Sequence, residues 1–229
     1  MTEGQGEMLW RCASAVPAGG RIVEIGSYHG RSAVILARAA DSTVEINAID
    51  PHAGNDRGPL QIVGSSDEGE SDHQIFHASL NSAGVADRVR HVRLPSQSAH
   101  GSVVGTIDLL YVDGAHGYGP AMADIRDWGH RVTPAGTMLI HDSFSAIGVT
   151  LAQLRLLFLS REWRYVGRSR SMAEYQRASL TSAQQAENLL AQTRELGWFA
   201  VNVARKVLLV AGLRSIAKLL DGGRGEWPY

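Results

Sequence analysis

Cysteine is almost absent from this chain. Cys12 is the single one in 229 residues, so no disulfide can close within it. A reducing, cytoplasmic setting is the expectation. Net charge is nearly absent as well: 22 Lys and Arg stand against 23 Asp and Glu, giving −1, which removes any general attraction to nucleic acid. No apolar run reaches the roughly 18 residues of a spanning helix, so no membrane insertion is expected. The longest apolar stretch, Trp198 to Leu213, is broken by Asn202, Arg205 and Lys206. Residues Met1 to Gly6 are polar and acidic and lack the basic and apolar blocks of a signal peptide. There is no internal repeat and no low-complexity tract. What is present is an ordinary globular balance, 44% hydrophobic and 20% charged, at a length that suits one α/β core.

Short apolar runs alternate with helical patterns. Arg21–Gly26, Val44–Asp50, Val89–Leu94, Ile107–Asp113 and Thr137–Asp142 read as buried strands, and Ser32–Ala40 as a helix entered through glycines. Strands of this kind, separated by helix-length segments, argue a parallel sheet covered on both faces. Trp163–Arg168 and Met172–Arg177 follow with only a Ser-Arg-Ser turn between them, so they should pair as an antiparallel hairpin. Five βα units and a terminal hairpin are the ground plan of the class I methyltransferase fold, a Rossmann-like α/β sheet. Two segments fall outside that plan. Ala53–Asp72 is rich in Gly, Ser and acids and reads as a long loop, a lid over an acceptor, with Asn55, Asp56, Arg57 and Gln61 suited to a hydroxyl-rich molecule. Thr181–Leu220 reads as helices beyond the sheet. The expected division is a catalytic domain over 1–178 and a helical extension over 179–229. That extension carries more apolar surface than one stripe needs, which points to a homodimer.

The chemistry concentrates at strand ends. Glu24-Ile-Gly26-Ser27-Tyr28-His29-Gly30-Arg31-Ser32 closes the first strand and opens a helix, where glycines let the backbone approach a ligand. Its E-x-G-x-x-x-G spacing differs from G-x-G-x-x-G and favours S-adenosylmethionine (SAM) over a dinucleotide. Asp50 ends the second strand, where a carboxylate can accept from ribose hydroxyls; before Pro51 it is equally a turn residue. His52 follows it and can touch the same ribose. Ser96-Gln97 follows the third strand, where an amide can read an adenine edge. Asp113-Gly-Ala-His116 and His141-Asp142-Ser143 follow the fourth and fifth. Two carboxylates and two imidazoles there can hold a hard ion such as Mg²⁺ and still leave a proton acceptor. His73, His77, His91, His100 and His130 have no matching carboxylate pattern and read as loop or helix residues.

Val23–Ala37, Ser96-Gln97, Asp113 and Asp142 together resemble the catechol O-methyltransferase family, over about Gly19 to Arg177. The resemblance implies that Glu24, Gly26, Ser27, Tyr28 and Ser32 serve the methionine end of SAM, with Asp50 on the ribose, Ser96 and Gln97 on the adenine, and Asp113 beside the cofactor. It also implies Asp113 and Asp142 as metal ligands. Ser143 stands where that family has an Asn ligand, so the third protein ligand is His141 or Ser143. The catechol family's basic lysine has no counterpart among residues 114–117, Gly, Ala, His and Gly. Macrolide-sugar O-methyltransferases are similar here in placing a His three residues after the metal-binding Asp. The general base is therefore His116 or His141, acting with Asp113. The reading that follows is transfer of a methyl group from SAM to a hydroxyl of a small acceptor, a sugar or oligosaccharide of the kind used in polysaccharide biosynthesis. The alternatives are a polyketide or phenolic acceptor, or a SAM-fold protein without turnover. A nicotinamide oxidoreductase is disfavoured, because no Tyr-x-x-x-Lys pair is present.

Overall fold

The computed structural model describes residues 1–54 and 65–213. Seven strands form one sheet: β1 (Arg21–Ile25), β2 (Glu45–Ile49), β3 (Val89–Val92), β4 (Ile107–Val112), β5 (Val132–Ile140), β6 (Trp163–Ser169) and β7 (Met172–Arg177). Their order is β3-β2-β1-β4-β5-β7-β6. The first five run parallel, β7 pairs antiparallel with β5, and β6 pairs antiparallel with β7. The doubly covered parallel sheet and its hairpin are as the apolar runs lead one to expect. Chain order reverses direction at β1, between β2 and β4, and that reversal opens a crevice at the strands' carboxyl ends.

Alternation within the strands divides the core in two. Val23, Ile25, Leu110 and Val112 face one side, where α4 (Tyr118–Gly129) and α5 (Ile147–Leu156) lie, with Trp128 fully buried. Ile22, Leu109 and Tyr111 face the other, beneath α1 (Glu3–Ser14), α2 (Arg31–Ala39) and α3 (Ser66–Ser82), with Leu9, Leu36 and Phe76 filling the layer. α1 is an element the sequence reading passes over. Its signal is present, since Thr2-Glu-Gly-Gln5 is a capping box: the Thr2 hydroxyl accepts from Gln5 N and Gln5 Oε1 accepts from Thr2 N. Arg11 then ties α1 to Glu174 of β7.

The C-terminal segment differs from expectation in form. It is one helix, α6 (Ser182–Val210), 29 residues long and opened by a second capping box at Thr181 and Gln184. Leu189, Leu196, Trp198 and Phe199 pack on the α4/α5 side of the core. Asn188 does more than fill space. Its Oδ1 accepts from Tyr165 N at 2.6 Å and its Nδ2 donates to Trp163 O at 3.1 Å, so one side chain supplies the partner that edge strand β6 lacks. Leu190, Val201, Val207 and Val210 remain exposed on the same helix. Among the described residues, no helix is long and apolar enough to cross a membrane. Asn188→Ala should lower unfolding free energy by about 1–3 kcal/mol, because it strands two buried backbone groups. Urea denaturation measures that loss, and hydrogen exchange should show it concentrated at Tyr165.

Candidate active site

The crevice at β1 is built on close backbone approach. Gly26 sits at φ +85°, and a Cβ there would meet the Asp113 carbonyl oxygen at 2.1 Å. Any larger residue would part β1 from β4. Gly26 N donates to Ile49 O and Asp113 N donates to Ile25 O, so three strand ends are stitched at one point. Beyond Gly26 the chain turns through Tyr28 in the left-handed region (φ 44°) and enters α2 through Gly30 (φ +83°). Asp50 holds that turn. Its Oδ2 accepts from Ser27 N at 3.0 Å and Tyr28 N at 2.8 Å, and its Oδ1 accepts from His52 N at 2.8 Å. Asp50 thus makes the turn before Pro51, and it lines the cleft.

A cleft of about 1060 Å³ collects most of the remaining candidates, though Glu24, His141 and Asp142 are not among the residues that line it. Gly26, Ser27, Tyr28, Ser32, Asp50, Ser96, Gln97, Asp113 and His116 all line it, as does Met1. Asp124 of α4, absent from the sequence reading, lines it too and takes the Ser96 hydroxyl on Oδ1. Burial pushes the Asp124 carboxyl up to about 6, and Asp127 adds to the shift against the opposing Ser96 hydrogen bond. Glu24 lies wholly buried, with neither carboxylate oxygen in a hydrogen bond. Burial raises it to about 8; the nearby Ser32 hydroxyl opposes the shift, while the charges of Asp113 and Asp50 reinforce it. The Ser27 hydroxyl is buried and also without a hydrogen-bond partner.

At the ends of β4 and β5 two carboxylates close on one imidazole. His141 Nδ1 is 3.1 Å from Asp113 Oδ1 and 3.5 Å from Asp142 Oδ1. Burial works against charge on His141, but the two carboxylates outweigh it and raise the ring to about 10. Asp142 is 2.6 Å from His116 Nε2 through its other oxygen, and the two imidazoles hold it well below the usual carboxylate range despite its burial. Asp113 Oδ2 accepts from Tyr111 OH at 2.8 Å. Asp142 itself adopts φ 54°, a conformation non-glycine residues hold only where surroundings enforce it. Two neighbours come from elements that sequence reasoning did not connect to the site. Gln5 Nε2 of α1 lies 3.3 Å from His141 Nε2, and Lys206 of α6 donates to Ser145 O at 3.0 Å; burial lowers the Lys206 pKa, and the charge of Asp142 only partly opposes that.

The segment read as a lid is otherwise than expected at its acidic end. Ser66–Asp72 is the first two turns of α3, capped by the Ser65 hydroxyl accepting from Glu68 N, with Asp67 and Glu68 in the first turn, where negative charge suits a helix start. Asp72 is buried and pairs with His29 at 2.9 Å. Asn55, Asp56, Arg57 and Gln61 lie outside the described residues. Three of the histidines read as loop or helix residues, His73, His77 and His91, pack with His52 around Phe76, and His91 lies on strand β3.

Residues 23–143 match the family model described as a methyltransferase domain, more than half of the chain. The chain belongs to this family. A curated relative, the uncharacterized protein y4gI of Sinorhizobium fredii, is 28% identical over 130 residues, covering 54% of this chain; the chain spans only 13% of that relative's length. Among solved structures, the O-methyltransferase TomG of Streptomyces achromogenes, determined in complex with SAM, superposes with a TM-score of 0.53 at 19% identity over 80% of this chain and 82% of TomG. The calicheamicin methyltransferase CalS11 superposes with a TM-score of 0.56 at 20% identity over 75% and 77%. At these identities the likeness is one of fold. The chain carries a methyltransferase domain by family and is Rossmann-like by structure.

The methyltransferase's own residues fit both groups that its sequence implies. Two orphaned buried polar groups, the Glu24 carboxylate and the Ser27 hydroxyl, flank the Gly26 cradle, and the methionine ammonium and carboxylate of SAM are the partners such groups want. For a divalent ion, Asp113 and Asp142 converge on one point, and Asp142 Oδ1 is buried with no hydrogen bond. His141 Nδ1 lies at that point, between the two carboxylates. Ser143, where the catechol family has its Asn, is engaged elsewhere: its hydroxyl donates to Ile140 O at 2.7 Å and accepts from Gln153 Nε2 at 2.8 Å.

Glu24 makes the methyltransferase pH-sensitive in a defined direction. Its folded pKa lies above its ordinary value, so the folded protein holds a proton that the unfolded chain releases. Stability is fully present below the ordinary carboxylate range and is lost as pH rises toward about 8. Glu24→Gln removes this loss, so its stability relative to wild type should grow between about pH 5 and pH 8 by a few kcal/mol. Urea midpoints of both proteins across that window check the sign.

Proposed function

We propose that this methyltransferase moves the methyl group of SAM to a hydroxyl of a small sugar or oligosaccharide, with a divalent ion beside the acceptor and a histidine taking its proton. The observation that carries the reading is that a single cleft holds both the Gly26–Ser32 turn and the Asp113/His116 strand end, so cofactor and acceptor meet where proton-handling groups stand. Glu24, Gly26, Ser27, Tyr28 and Ser32 receive the methionine end; Asp50 receives the ribose; Gln97 and Ser96, the latter fixed by Asp124, receive the adenine. Bound SAM supplies an electrophilic methyl on sulfonium sulfur. Asp113 and Asp142, with His141 beside them, would hold Mg²⁺, which would supply Lewis acidity to the acceptor oxygen. The acceptor oxygen forms the new bond to carbon, the carbon–sulfur bond breaks, and the hydroxyl proton leaves for the base.

Of the two candidate bases, His116 suits the role better. Asp142 engages its Nε2 and so fixes the tautomer in which Nδ1 is the accepting nitrogen, the logic by which a carboxylate orients a catalytic imidazole. His141 sits between two carboxylates that favour its charged form, which cannot accept a proton. Buried Cys12, its thiol pushed up to about 12 mainly by burial, accords with a cytoplasmic setting.

Labelled SAM incubated with a panel of mono- and oligosaccharides, phenols and polyketides, with and without Mg²⁺, tests the assignment. Methylation of a sugar, abolished by chelator and restored by Mg²⁺, is expected; transfer to a phenol alone sinks the acceptor class. Asp142→Asn should stay folded and lose turnover. His116→Ala should lower kcat by about 10²–10⁴-fold, the usual worth of a general base, while leaving SAM affinity near wild type, and should erase the acid limb of the pH–rate profile.

The exposed apolar face of α6 supports the homodimer as well. Val201, Val207, Val210 and Leu213 stand out from a helix whose other face is already packed. Light scattering at micromolar concentration should give twice the chain mass. A monomer would reject the assembly, and Val207→Asp should dissociate it.

A further inference from the structure

Behind Asp50, on the side away from the glycine turn, three histidines from two elements meet. His73 and His77 stand four residues apart on α3 and so share one face of the helix; His91 comes across from β3. His73 Nε2 and His77 Nε2 are 3.0 Å apart. One nitrogen from each of the three rings lies within 4.8 Å of the other two. All three rings are half-buried, so an ion could enter and keep a water.

The surroundings set which nitrogens carry lone pairs. His91 Nε2 is 3.2 Å from the Asp50 carbonyl oxygen. That contact requires a proton on Nε2, which leaves Nδ1 of His91 as the ligating atom. Glu70 Oε1 stands 3.6 Å behind His73 Nδ1, a carboxylate backing an imidazole as second-shell carboxylates do at metal centres. Arg93 Nη1, which can only donate, lies 3.3 Å from the same nitrogen, so ligation through Nε2 requires that Nδ1 carry its proton toward Glu70 and that Arg93 keep only its own pair with Glu70 at 2.8 Å. Burial lowers His91 to about 4 and lowers His73 as well, so both are neutral at pH 7, the form that ligates. In a tetrahedral site with metal–nitrogen bonds of about 2.0–2.1 Å, two ligand nitrogens stand roughly 3.3 Å apart, close to the gap between His73 and His77.

We propose that His73, His77 and His91 form a transition-metal site of the zinc type, separate from the Asp113/Asp142 pair, that braces the nucleotide side of the cofactor cleft. All-nitrogen donors select such an ion over Mg²⁺, which takes oxygen. The brace works through Asp50. An ion on His91 Nδ1 strengthens the Nε2 hydrogen bond to the Asp50 carbonyl and locks α3 to β3, and Asp50 in turn holds Ser27 and Tyr28. Ion and cofactor should then favour each other's binding, a coupling that rests on the cofactor reading above.

The full chain, stripped of metal and titrated with Zn²⁺ alone against a chromophoric chelator, tests the site. One equivalent should bind with a Kd of about 1 µM or tighter. His73→Gln and His77→Gln should each weaken it by about a hundredfold or more, beyond the loss typical of an outer-shell change. Asp142→Asn should leave it unchanged. Co²⁺ in place of Zn²⁺ should give the intense visible bands of a four- or five-coordinate nitrogen site, a readout on wild type that needs no variant to fold. Absence of tight Zn²⁺ binding, binding indifferent to both glutamine variants, loss in Asp142→Asn, or a weak six-coordinate Co²⁺ spectrum would each overturn the proposal. SAM affinity measured with and without Zn²⁺ separates the two readings: failure of SAM to bind at all strikes the proposed function and leaves the metal site standing.

Discussion

The structure turns on one contact, the Gly26 backbone pressed against the Asp113 carbonyl. That approach sets the spacing of β1 and β4 at the point where strand order reverses, and everything in the cleft is placed relative to it. The glycine turn on one side and the Asp113–His116 strand end on the other are not independent motifs that happen to face each other. They are two ends of a single pair of strands that no Cβ is allowed to separate. The polypeptide hydrogen bonds from Gly26 to Ile49 and from Asp113 to Ile25 extend the same constraint to β2. A site assembled this way is stiff where cofactor and acceptor must meet, which in-line methyl transfer needs, because reacting atoms must be held close and aligned.

Charge is the second organising quantity. Asp113 and Asp142 are brought near one another at low exposure, an arrangement that would be costly without counter-charge. The protein supplies partners from four directions: His141 between the carboxylates, His116 on Asp142, the Tyr111 hydroxyl donating to Asp113, and the Lys206 ammonium from the last helix.

Much of the sheet was legible in the sequence because parallel strands buried on both faces leave near-continuous apolar runs, as Ile107–Val112 does. The glycine turn was legible because its residue types are forced by φ and by close approach. The rest was hidden by distance along the chain. α1 and α3 announce themselves only through capping residues, Thr2 with Gln5 and Ser65 with Glu68, which polar composition disguises as loop. Asp124 is one acid on a helix until the fold lays it against Ser96. His91 is fourteen residues beyond His77, with a turn between, and no spacing rule joins them. Lys206 reads as a charge interrupting an apolar run until α6 folds back over the β5 loop.

Met1 belongs to the wall of the cleft, and α1 begins two residues later with Gln5 against His141. Any polypeptide joined ahead of Met1 would therefore leave from the wall of the cleft. An affinity handle fused there would pull on the capping box that seats α1. The cleft is thus exposed to its amino-terminal context in a way that the distance between residue 1 and the strand ends, counted along the chain, would never disclose.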